Sequence, residues 1–71
     1  MSVTEIAKLH FAAAMEEAEA GGLSHDSLCR SLLGLIVSKY LETRSVSDVQ
    51  SELRFVSDNC DPETDFIFMR P

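Results

Sequence analysis

The chain has no tryptophan, two prolines, three glycines and two cysteines in 71 residues. Two cysteines, Cys29 and Cys60, cannot build the multi-bridge framework on which small secreted domains depend. Neither belongs to a Cys-x-x-Cys pair, and with His10 and His25 they do not reproduce the spacing of a zinc site. The one glycine pair, Gly21-Gly22, lacks the flanking pattern of a phosphate-cradling loop. Positive charge is scarce as well. Six basic residues face twelve acidic ones, a net charge of −6. Such a surface repels a phosphate backbone unless its cations are segregated, and they are not, so no nucleic-acid partner is expected. Long apolar runs are missing too. Nothing reaches the roughly 18 residues of a membrane span, so no membrane partner is expected. Met1-Ser2-Val3-Thr4 lacks the basic start of a secretory leader. The expectation is a cytoplasmic protein with free thiols, Cys29 being a buried small hydrophobe. No motif suggests a cofactor, a metal or a small-molecule substrate.

What the chain does have is apolar content, 45% of its residues. The longest such stretch lies between Asp26 and Arg44. Leu28, Cys29, Leu32, Leu33, Leu35, Ile36, Val37, Tyr40 and Leu41 recur there at spacings of three and four, a helical period. At 100° per residue they cover more of the circumference than the single stripe of a surface helix, which predicts a central helix covered on more than one side. Ser27, Ser31, Gly34 and Ser38 form a second, narrow stripe of small residues, suited either to solvent or to close approach of another helix. Gly34 costs about 1 kcal/mol relative to Ala in a helix interior, which favours a packing reason for it.

Before this stretch, Ser2 with Glu5 has the Ser-x-x-Glu form of a capping box. Val3, Ile6, Ala7, His10, Phe11, Ala14 and Ala18 gather on one side of a helix from about residue 3 to 20, with His10 expected at a core boundary. Glu16, Glu17 and Glu19 crowd the end of this helix, against its dipole. They are either a solvated helix end or a docking site for lysine or arginine. Gly21-Gly22 ends the helix, one glycine being free to turn left-handed. Leu23 is expected to tuck beneath the turn. Ser24 or Asp26 caps the central helix, with the dipole favouring Asp26, and that helix runs to about 43. So short a connection makes the first two helices antiparallel neighbours.

After it, Ser45 or Ser47 caps a third helix, about 46–59. Val46, Val49, Leu53, Val56 and Cys60 make one apolar stripe, and Phe55 points away from it. Asp61-Pro62 either ends this helix or opens a new turn, or Asp61 caps a short helix with Pro62 at its first position. The tail, 61–71, carries Phe66, Ile67, Phe68 and Met69, a run that either closes the bundle or anchors on another chain.

His25-Asp26-Ser27 holds three triad-type residues in sequence. Neighbours in one helical turn point apart, so they cannot act together, and no enzyme is expected. Asp26-Ser27-Leu28 resembles the Asp-Ser-Leu at which acyl and peptidyl carrier proteins take phosphopantetheine. That resemblance implies a small acidic helical domain modified on Ser27. The two differ ahead of the serine, where carrier proteins have a long loop and this chain has only Gly21 to His25. A helix-turn-helix layout of the second and third helices would make the third a DNA reader, but Asp48 to Arg54 holds two acids and one base.

The expectation is therefore all-α, a single domain over residues 1–71, a small three-helix bundle with an aromatic C-terminal tail. A chain of this length buries a small core, and oligomerisation is a natural supplement. The expected function is that of a small non-enzymatic regulator or adaptor acting through protein–protein interaction, as a homodimer. Phe55, Phe66, Phe68 and Met69 are its candidate anchors, and Glu16, Glu17 and Glu19 an acidic rim. The alternatives are an acyl-carrier-like domain modified on Ser27 and a small DNA-binding regulator.

Overall fold

The computed structural model describes residues 1–63, and 76% of them are helical. The fold is all-α, with α1 at Val3–Ala20, α2 at His25–Leu41 and α3 at Val46–Asp58, and no strand among the described residues. The chain divides into two compact units, Met1–Leu35 and Ile36–Pro71.

In the first unit, α1 starts as its sequence demands. The Ser2 hydroxyl accepts from the Glu5 backbone N–H at 3.1 Å, and the Glu5 carboxylate accepts from the Ser2 N–H at 2.8 Å. This reciprocal box satisfies two N–H groups that helix geometry leaves without partners. The bond from the Ser2 backbone, then that from its side chain, holds the Glu5 carboxyl below its usual value. At the other end Gly22 takes φ +72°, the left-handed conformation glycine adopts without a Cβ clash. The Leu23 N–H donates to Ala18 O at 2.8 Å and the Gly22 N–H to Glu19 O at 3.1 Å, the paired bonds of a Schellman end. Leu23, expected to tuck beneath the turn, reaches back to Gly21 but stays 67% exposed, since among the described residues little else covers it. Ser24, not Asp26, caps α2. Its hydroxyl accepts from the Ser27 N–H at 3.1 Å. Asp26 falls one turn before Arg30 and pairs with it at 3.0 Å.

The first unit buries little. Ala18 is 5% exposed, and Thr4, Ala14, Met15, Leu28 and Leu32 are half-buried. The inner face of α1 is thus the one carrying Ala14, Met15 and Ala18. Val3, Ile6 and Phe11, expected inside, are exposed, and so is His10. Alanine allows close packing but removes little apolar area, so this face gains less from burial than leucines would provide.

The second unit is built on the end of α2, the turn after it and α3. α2 ends at Leu41, two residues before the expected 43. Glu42 and Thr43 donate three residues back, to Lys39 O and Tyr40 O, tightening the last turn. The Ser45 hydroxyl accepts from the Asp48 N–H at 3.1 Å and caps α3. α3 closes at Asp58, one residue short of 59, where the Asn59 side-chain amide donates to Phe55 O at 2.8 Å. The Asp61 carboxylate then accepts from the Glu63 N–H at 2.8 Å, a turn set by the aspartate before Pro62.

Here the core is Val49, 3% exposed, with Val37, Tyr40, Arg44, Glu52, Leu53 and Val56 half-buried. The α3 stripe is correct in its middle and wrong at its ends: Val46 is the first residue of the helix, Cys60 lies beyond its cap, and both are exposed. The largest correction concerns α2. No residue of it is buried, and Leu33, Leu35, Ile36 and Leu41 are exposed. Cys29 is exposed too, not buried. An apolar circumference is covered only where neighbours exist, and the described residues supply too few. Nothing within 4 Å would meet a Cβ at Gly34, so the small-residue stripe holds no close contact there.

Val49→Ala should lower stability by about 2 kcal/mol in urea denaturation, from two methyl groups lost and a cavity left. Val46→Ala, at an exposed position, should stay within about 0.5 kcal/mol of the parent. Because the Glu5 carboxyl titrates below its unfolded value, its support for α1 is complete above the ordinary glutamate range. That support is lost as pH falls through the lowered value. The amide resonances of residues 3–6 should follow that titration in the parent and lose it in Glu5→Gln.

Candidate interaction surface

Among the described residues, no group of three His, Cys, Asp or Glu side chains is placed to hold a metal ion. The His25-Asp26-Ser27 triplet is dispersed by the helix. The Asp26 carboxylate turns to Arg30, and the Ser27 N–H is committed to Ser24. Ser27 itself is exposed in the first turn of α2. No described helix is long and apolar enough to cross a membrane.

The best-defined polar cluster lies in the second unit, and Arg44 is its centre. Its guanidinium donates to the Glu52 carboxylate at 2.8 Å and to the Asp48 carboxylate at 3.0 Å. It also lies over the Tyr40 ring, 4.6 Å from the centroid, and the Tyr40 hydroxyl donates to Glu52. Arg44 precedes the cap of α3, so its charge would face the positive end of that helix. The two carboxylates offset this, and Glu52 foremost, then Asp48, raise the pKa of Arg44 above its ordinary value. The four side chains are spaced four apart, at 40, 44, 48 and 52, and join the end of α2 to α3. A planar guanidinium can grip two carboxylates and stack on a ring at once, which an ammonium cannot. Sequence reading by apolar period passed over this cluster. The four-residue spacing of Tyr, Arg, Asp and Glu was the signal available.

The remaining surface is apolar and acidic. Phe55, expected as an anchor, is half exposed on α3, 49% accessible. Glu16, Glu17 and Glu19 are all exposed. They are not brought together with Phe55 in one unit. Phe66, Phe68 and Met69 lie outside the described residues. Three basic side chains are taken up by acids of the same unit: Arg30 by Asp26, Lys39 by Glu42, and Arg44 by Asp48 and Glu52. The two exposed pairs, Arg30–Asp26 and Lys39–Glu42, add little stability, whereas the Arg44 pairs are better shielded from solvent.

No protein-family model, no curated protein and no solved structure matches the chain. What it does must be argued from its own residues.

Arg44→Lys and Arg44→Ala should loosen the turn alike, since Lys cannot keep both carboxylates and the ring. Tyr40 is the chain's single tyrosine. Its near-UV circular dichroism should weaken in both variants, and the amides of the first two turns of α3 should exchange faster.

Proposed function

We propose that this is a small non-enzymatic protein that acts through protein–protein contacts, as a homodimer, in the manner of a regulator or adaptor. The observation that carries this reading is the fate of its large apolar side chains. Ile6, Leu9, Phe11, Leu33, Leu35, Ile36, Leu41 and Phe55 are exposed, while the buried residues among those described are Ala18 and Val49. Scattered single leucines are ordinary on a surface. A helix such as α2, with no buried residue and four exposed Leu and Ile side chains, is not. Apolar area of this extent is commonly an interaction surface, and for so short a chain association supplies the burial that folding leaves out.

A second copy suits α2 on electrostatic grounds. α2 and the residue after it carry both signs of charge: Asp26 with Arg30, and Lys39 with Glu42, each already paired. Two such helices can approach without a net like-charge penalty, and a two-fold contact buries the same side chains twice.

Light scattering across a range of concentrations tests this, on the full chain and on one ending at Thr64. The expected result is a dimer that persists on truncation and is lost in Leu33→Ser/Ile36→Ser. A monomer at every concentration would remove the dimer. A dimer lost on truncation would move the contact to the tail.

A further inference from the structure

The outer side of α1 carries an apolar stripe that faces away from the core of its own unit. Ile6, Leu9 and Ala13 stand at i, i+3 and i+7, one line along a helix, and Val3 extends it by a turn. All four are exposed, Leu9 at 52% and Ile6 at 45%. The inner face, with Ala14, Met15 and Ala18, lies on another side of the helix.

The borders of this stripe are acidic. Glu5 and Glu16 run along one edge, next to Leu9 and Ala13 at spacings of four and three. Glu17, four residues after Ala13, lies on the other edge beyond Ile6 and His10. Glu19 falls on a different side and takes no part. The one cation of α1, Lys8, is next to Leu9 in sequence and so about 100° round the helix from it. The stripe therefore has carboxylates on both edges and no cation on either.

We infer that the outer face of α1 is a docking surface for a basic amphipathic helix of another protein, one whose apolar line is flanked by lysine or arginine. Charge complementarity selects that occupant. A second copy of α1 would bring glutamates against glutamates along the borders, a repulsion that grows as water is excluded. A neutral apolar segment would leave the Glu16 and Glu17 carboxylates partly desolvated with no basic group to meet them, while Glu5 keeps its bond to the Ser2 N–H. A helix with basic flanks meets both the stripe and its edges. The proposal rests on the interaction function above and names the kind of partner, while leaving α2 for self-association.

The test uses the full chain, isotope-labelled, and a synthetic leucine–lysine amphipathic peptide about four turns long. A matched peptide with glutamate for lysine is the control. Saturable shifts are expected in amides 5–17 with the lysine peptide and none with the glutamate peptide. Leu9→Ser should weaken binding about tenfold or more. Glu16→Lys/Glu17→Lys should weaken it further and flatten its salt dependence. All these positions are exposed, so circular dichroism should be unchanged in the variants. The proposal falls if the shifts centre on α3, if Leu9→Ser binds as the parent does, or if no peptide binds. It falls too if amides 5–17 move with protein concentration alone, which would put a second copy on the stripe. A dimer by light scattering with no peptide binding overturns the α1 site and spares the interaction function. A monomer that binds peptide at α1 does the reverse to the dimer.

Discussion

Every helix among the described residues must find acceptors for the N–H groups at its start, and three serines supply them. Ser2, Ser24 and Ser45 each accept the N–H of the residue three positions on, at 3.1 Å in all three cases. Each hydroxyl contributes about 1 kcal/mol, an appreciable share of the stability of so small a chain. The caps also set position. Between Gly22 and Ser24 there is one residue, and between the end of the α2 turn and Ser45 there is only Arg44. With both ends of each connection determined, the bounds of the helices are set by local sequence.

Burial is the part that local structure does not supply. The first unit closes around alanines and the second around one valine, and the leucines of α2 are divided between half-buried and exposed. A side chain packed on the outside of such a small core contributes far less than its full transfer free energy. Polar contacts compensate in part. Arg44, held by Glu52, Asp48 and the Tyr40 ring, ties the end of α2 to α3 in the second unit. The same shortage of cover leaves large apolar side chains exposed, and the proposed interaction function rests on them.

Charge decides between those faces. Pairing within each unit consumes Arg30, Lys39 and Arg44, and the acids left over are not evenly spread. α1 holds four glutamates against one lysine, whereas α2 holds one aspartate against two cations. A face with both signs tolerates its own copy, and a face with one sign excludes it. The proposed division between self-association and a basic partner rests on that difference.

The amino-acid order by itself determined the local elements. The spacing of three and four is a property of one chain segment, so three helices and an all-α fold were legible from it. So were the Ser2–Glu5 box, the glycine end of α1 and the cap at Ser45. Asp26 was chosen over Ser24 because the dipole favours a charge, but a cap needs a backbone outside the helix, and that is where Ser24 stands. Apolar lines point Cys29, His10 and Phe11 inwards and the glycine turn points Leu23 beneath it, yet all four are exposed. A period shows that a helix has an apolar face. Whether anything covers that face depends on residues distant in sequence, and only the tertiary structure decided it.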